Sequence, residues 1–171
     1  MNKITGLILL TFFLTSCDLT TEENKHIKWF DQTKNEILNQ SNLTADSTFV
    51  TLSDDSVITW THNLFKGQEF SKEGKIKEKL RIKSYFSKSA DFELRQEICD
   101  NGLVAFEGIL FKDKFYGLSK WKDCQDRIQM EGIRFEDEKV GIWKIYNDKG
   151  QVNEETDYGH YKSVDLFPKI K

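Results

Sequence analysis

Phe106-Glu107-Gly108-Ile109-Leu110-Phe111-Lys112-Asp113 returns 24 residues later as Met130-Glu131-Gly132-Ile133-Arg134-Phe135-Glu136-Asp137. The register continues to Gly117 on Gly141 and Lys120 on Lys144. Over the 17 columns from Phe106 to Lys122 it gives seven identities, where residue frequencies alone give about one. The stretch is an internal repeat. The same offset aligns Val104 with Ile128 and Val152, and Glu107 with Glu131 and Glu155, so a degraded third copy runs from Tyr146 to about Phe167. Each period holds two turn signals. One falls at Asp100-Asn101-Gly102, Asp123-Cys124-Gln125 and Asp148-Lys149-Gly150, the other at Lys112-Asp113-Lys114 and Glu136-Asp137-Glu138. Two turns per period make each repeat one β-hairpin. Counting back from the second turn sets Gly108 near Gly117 and Gly132 near Gly141. Paired glycines let a sheet coil and leave bare backbone for a ring such as Trp121, Trp143 or Tyr146 to cover.

The run Gly141-x-Trp143-x-x-Tyr146-x-Asp148-x-Gly150-x-Val152-x-x-Glu155-x-x-Tyr158-Gly159 resembles the variant MORN-type repeat. The copy from Gly117 departs from it, with Ser119 in the Trp column, Lys122 in the Tyr column and Asp126 at the turn glycine. The resemblance covers about residues 98–167. It implies a meandering antiparallel sheet of stacked hairpins, and a scaffold or antitoxin-like role without a shared chemistry.

Upstream the alternation persists from Thr48. Ile76, Leu80, Ile82 and Phe86 occupy even positions, while Lys75, Lys77, Lys79, Arg81 and Lys83 occupy odd ones. This predicts one strand over 75–86 with an apolar face and a basic face. Phe92, Leu94 and Ile98 continue the pattern after a turn at 87–91. Keeping both apolar sets on one side requires an even pairing sum, and a sum of 178 sets Arg81 opposite Glu97. Before the sheet, Ile27, Phe30, Ile37 and Leu38, with the stem of Lys34, share one helical face, while Lys28, Asp31, Asn35 and Glu36 point outward. This predicts one amphipathic helix over 24–40, with Thr20-x-x-Glu23 as a capping box at its start. The expected fold is therefore mainly β, with one N-terminal helix.

Met1–Ser16 holds a single charge, Lys3, and an apolar run from Ile4 to Leu14. That run is too short for the roughly 20 residues of a membrane-spanning helix and reads as a secretory leader. It ends in Leu14-Thr15-Ser16-Cys17, which resembles the lipobox of bacterial lipoproteins. The resemblance implies cleavage after Ser16 and lipidation of Cys17, hence a cell-envelope protein anchored in a membrane. The expected organisation is a leader at 1–16, a tether at 17–25, helix and connection at 26–47, a hairpin region at 48–97 and the repeats at 98–167.

The chain has 171 residues, with 25 basic and 28 acidic side chains spread along it and 22 aromatic rings. These values exclude a multi-pass membrane protein and a disordered one. Removing the leader takes one Lys and no acid, leaving 24 − 28 = −4, which lacks the basic footprint of a nucleic-acid binder. His26, His62 and His160 are far apart, with no second metal ligand at a useful spacing, and each is expected at the surface or half-buried. No phosphate-binding or dinucleotide glycine motif and no nucleophile elbow occurs, so no cofactor and no enzymatic activity are expected. The odd-numbered cations at Lys75, Lys77, Lys79, Arg81 and Lys83 form the candidate surface for a protein or envelope polymer. An immunity-like protein that masks a toxin outside the cytoplasm is the alternative that the repeat resemblance implies. Cys99 and Cys124 lie at turns two strand spacings apart, about 9.6 Å in a flat sheet, beyond disulfide reach. They are expected as two free or occluded thiols.

Overall fold

In a computed structural model, residues 17–170 are described, with side chains in the first helix from Glu22 onward. The expected leader and the side chain of Cys17 lie outside the described residues. A helix, α1 (Cys17–Ser41), is followed by ten strands: β1 (Ser47–Leu52), β2 (Thr59–Phe65), β3 (Gln68–Ile76), β4 (Lys79–Phe86), β5 (Phe92–Ile98), β6 (Val104–Phe111), β7 (Lys114–Lys122), β8 (Ile128–Phe135), β9 (Glu138–Tyr146) and β10 (Val152–Asp157). They form one antiparallel meander in chain order, as the mainly β reading requires. Among the described residues no helix is long and apolar enough to cross a membrane.

The repeats explain the geometry of the second half. Lys112-Asp113 and Glu136-Asp137 are two-residue turns in which all four residues have positive φ, the primed geometry that matches strand twist. Within the hairpin β6–β7 the ladder passes from Glu107↔Lys120 to Ile109↔Tyr116. One repeat later it passes from Glu131↔Lys144 to Ile133↔Val140. Each step skips two extra residues on the second strand, so the strand bends while its side chains keep their faces. Gly117 and Gly141 occupy the bends at φ 74° and 65°, a conformation in which a Cβ is strained. Gly108 and Gly132 stand across from them, as the repeat predicts.

Two faces result. On one, α1 lies diagonally. Glu23 meets Lys144 at 3.0 Å, Lys34 meets Glu107 at 2.7 Å, and the Gln40 amide oxygen accepts from the Lys88 N–H at 2.7 Å. Its buried stripe is His26, Trp29, Phe30, Thr33, Ile37 and Ser41, rotated from the expected one because Trp29 replaces Ile27 at the contact. The ring of Trp29 lies where a Cβ on Gly117 would come within 2.6 Å. Phe92, Leu94, Ile109, Tyr116, Leu118, Ile133 and Val140 complete this core. Among the described residues α1 already includes 17–25, so the segment read as a tether is helical, and Glu23 bonds Lys144. Beyond Tyr146, which ends β9, the third repeat copy forms one strand, β10, and a single 3-10 turn at Val164–Leu166. Its second half crosses the helix-covered face, where Tyr161 fills the space above Gly141 and Phe167 is buried.

Three expectations are corrected. The strand over 75–86 is broken by a turn at Lys77-Glu78, φ 48° and 63°, which neither Gly nor Asn marks and across which the alternation continues. The β4–β5 register is Ile82↔Glu97 and Tyr85↔Leu94, a sum of 179 and not 178. Tyr85 faces the helix-side core, while Ile82 and Phe86 face the other side, because this sheet carries apolar residues on both faces. Finally, Cys99 and Cys124 are joined in a disulfide with Cα atoms 5.7 Å apart. Register shifts at Glu97/Ile98 and at Trp121/Lys122 leave Ala105 and Gln129 as extra residues and so bend β6 and β8 where they leave the two turns. The two turns thereby close a gap that a flat sheet would hold open. The Asn101 amide also donates to the Cys124 carbonyl at 2.6 Å.

Two measurements check this account. In Gly132→Ala the added Cβ would meet the Trp143 ring at 2.2 Å, so denaturant unfolding should show a loss of about 1–3 kcal/mol. Reduction should add two daltons to the intact protein. Cys99→Ser with Cys124→Ser should lower stability by about 2–4 kcal/mol, since the bridge closes a loop of some 25 residues.

Candidate interaction surface

The five odd-numbered cations do not form one basic face. Lys75 is the penultimate residue of β3, Lys77 is in the turn, and Lys79, Arg81 and Lys83 lie on β4. Lys79 and Arg81 converge on Asp100 at 3.1 and 2.5 Å, and Lys83 is 3.5 Å from Glu73. The hydrogen bond from Lys79, with the charge of Arg81, holds the Asp100 carboxyl below its ordinary range. Three of the five cations therefore serve contacts within the sheet, leaving Lys75 and Lys77 beside a turn.

A different set of cations lines the face opposite α1. Trp60 covers Gly74, and Lys72 Nζ lies 5.0 Å from its ring centroid and 5.3 Å from that of Phe86. Further along, the Arg134 guanidinium is 5.6, 5.7 and 5.4 Å from the centroids of Phe115, Trp121 and Trp143. Lys139 Nζ sits 4.4 Å from the Trp143 centroid and 5.0 Å from that of Tyr158, which is 44% exposed. Cations over ring faces are attracted by the ring quadrupole. The floor is made by small residues, because Trp143 covers Gly132, and Ser119 pairs with Gly132 in the ladder. Ser119 in the Trp column of the first copy thus leaves room for the indole supplied by the second.

Arg134 is the least satisfied member of this row. One amino nitrogen donates to the Asp137 carbonyl at 2.7 Å, but its Nε has no partner. Burial lowers its affinity for the proton, with Asp137 partly offsetting the effect. The repeat itself carried a signal for this residue, since Arg134 falls in the column of Leu110. One copy places a charge where the other places an aliphatic side chain.

The remaining titratable groups serve the fold. His26, expected near the surface, is fully buried, and its ring nitrogens face the carbonyl oxygens of Glu22 and Lys162 at 2.7 and 2.8 Å. Burial and the hydrogen bond to Glu136 push the Tyr116 hydroxyl up to about 12. Burial and Glu131 act likewise on Tyr146. Burial is the largest single influence on Lys144 and would lower it, but the hydrogen bond to Glu23 and the charges of Glu23 and Glu131 together raise it. His62 accepts or donates between Thr51 Oγ1 at 2.8 Å and Glu69 Oε1 at 2.6 Å, with Phe49 stacked on it at 4.3 Å. This file of hydroxyl, imidazole and carboxylate lies on an open strand edge, where it fastens β1 to β2 and β3. Among the described residues no group of three His, Cys, Asp or Glu gathers to hold a metal. A cleft of about 480 Å³ between the C-terminal end of α1 and the β2–β3 and β4–β5 turns is lined by Leu43, Phe65, Phe70 and Phe86 with Lys66 and Lys88.

No protein-family model matches the chain, and no curated protein matches it. Among solved structures, a mutant of S. aureus TarM in complex with Fondaparinux, alpha-GlcNAc-glycerol and UDP is similar at 8% identity and a TM-score of 0.35, over 82% of this chain and 26% of that one. A second TarM structure is similar at 9% identity and a TM-score of 0.33, over 80% and 25%. The chain spans about a quarter of the length of those structures.

Arg134→Leu restores the residue of the other repeat copy and removes an unpaired buried N–H. Since apolar replacement of a half-buried charge is commonly neutral or stabilising, denaturant unfolding should change by no more than about 1 kcal/mol. The tryptophan emission should shift as the guanidinium leaves the rings.

Proposed function

We propose that this chain is a binding protein of the cell envelope, anchored by a lipid on Cys17, whose outer sheet face receives a protein or envelope polymer. The observation that carries the reading is the row of rings with cations laid over them, from Trp60 and Lys72 to Arg134, Lys139 and Tyr158, in which Trp60, Trp121 and Tyr158 are partly or well exposed and Trp143 is buried. Aromatic side chains and arginine are what the energetically dominant parts of interfaces contain. A long face of shallow relief suits a macromolecule better than a small substrate, which needs a concave pocket. The Cys99–Cys124 bridge suits a compartment outside the cytoplasm, and the lipobox-like run supplies the anchor. In this reading the protein binds without turning over a substrate.

Metabolic labelling with a palmitate analogue should tag the wild-type chain and not Cys17→Ala, which should leave the membrane fraction. Crosslinking in intact cells then tests the surface. Lys72→Gln, Arg134→Leu and Lys139→Gln together should lower partner capture several-fold while circular dichroism stays β-rich. Undiminished capture, or substrate turnover by the repurified protein, would overturn the proposal.

A further inference from the structure

The two edges of the ten-stranded sheet are built differently. β10 carries Glu154, Glu155 and Asp157 in six residues, and its ladder to β9 is interrupted between Val152 and Glu154. Charge and irregularity of this kind block the addition of another strand. β1 has neither. Its sequence, Ser47-Thr48-Phe49-Val50-Thr51-Leu52, is uncharged and rich in β-branched residues, and its six-residue ladder to β2 is unbroken. Phe49, Val50 and Leu52 are 47, 62 and 61% exposed. Helix α1 packs on β3, β4, β5 and β7, and Val50 and Leu52 lie beyond its reach.

The edge is also held in shape. Phe49 stacks on His62, and Thr51 is hydrogen-bonded to the same ring, which Glu69 fixes from the other side. The Ser53 N–H donates to the Ile58 carbonyl. Along an unbroken antiparallel ladder, Thr51, Phe49 and Ser47 therefore also bond inward, while the N–H and C=O groups of Thr48, Val50 and Leu52 point to the open side.

We infer that β1 pairs antiparallel with β1 of a second copy of this chain, about a two-fold axis at Val50. The strand is self-complementary in that register. Val50 meets its own copy and Thr48 meets Leu52 on the helix side, while Phe49 meets Thr51 on the outer side. All outward backbone groups find partners, and each cross-strand contact joins neutral, β-branched or aromatic residues. A slide of two residues in either direction brings Asp46 opposite Leu52 or Asp54 opposite Thr48. In the paired register Asp46 comes opposite Asp54 of the other copy at both ends, so salt strengthens this association by screening. The six-residue contact is small, and tethering on one surface raises the local concentration that it needs. Only that last point rests on the proposed lipid anchor.

The test uses the full-length chain expressed in cells, where pairing is read by crosslinking and location by fractionation, so each can fail alone. Val50→Cys should give a covalent dimer under mild oxidation, because antiparallel partners lie about 5.5 Å apart at Cα, within disulfide reach. Thr48→Cys alone should not, since its copy lies four residues along, about 14 Å away. Thr48→Cys co-expressed with Leu52→Cys should give the mixed dimer. The yield with Val50→Cys should rise with salt, and Val50→Lys should make the otherwise unaltered protein sediment as a monomer at concentrations where wild type self-associates. Equal crosslinking by Thr48→Cys and Val50→Cys, a monomeric wild type at all concentrations, or an edge occupied by a strand from another protein would each overturn the inference.

Discussion

The ring of Trp29 occupies the volume above Gly117 that any other residue would fill, and the placement of the helix depends on that contact. Gly117 is bare because β7 bends there with φ 74°, and the bend is one of a pair, repeated 24 residues later at Gly141 under Tyr161. The repeat thus makes two sockets on one face. The first takes α1, and the second takes the C-terminal segment, which in turn buries Phe167 against Trp29, Tyr116 and Phe135. Helix, sheet and tail share one core because two glycines are bent in register.

The same glycine rows dictate the opposite face. Gly74, Gly108 and Gly132 have no side chain, so Trp60, Phe106 with Phe115, and Trp143 lie down on the backbone. Phe106 and Trp143 are buried in this layer while Trp60 and Phe115 stay partly exposed, and cations from neighbouring strands settle over Trp60, Phe115 and Trp143. The surface proposed for binding is thus a by-product of how the sheet coils. The face that buries its glycines under a helix makes stability, and the face that covers them with rings makes a platform. Arg134 marks where the two requirements diverge, since its half-buried guanidinium has an unpaired Nε that an aliphatic side chain would not have.

A long meander leaves two edges, and the physics of edges differs from that of faces. Backbone donors and acceptors at an edge are satisfied by water or by another strand, and side-chain charge decides between them. The acidic β10 favours water. The neutral β1, steadied by His62, is suited to a strand.

The hairpins were legible in sequence because their signals are local. A 24-residue period, Gly at fixed columns and Asp-rich turns specify strand, turn and bend without reference to anything distant. The amphipathic helix was legible for the same reason, and its outward residues Lys28, Asp31, Asn35 and Glu36 are all exposed. What failed depended on contacts between distant elements. The Lys77-Glu78 turn lacks Gly and Asn, and the apolar alternation runs straight through it, so the supposed basic strand was two strands. The β4–β5 register came out one residue off because parity can be read only when one face is apolar, and here both are. Cys99 and Cys124 come together through twist that bulges impose on strand ends, and no spacing in the chain encodes that twist. The cation row of Lys72, Arg134 and Lys139 is contributed by β3, β8 and β9, and only the coiling of the sheet lays those side chains over rings from neighbouring strands. Sequence determined the elements because each depends on its own backbone chemistry. Tertiary structure decided the surface, because which side chain covers which glycine depends on how far each strand bends.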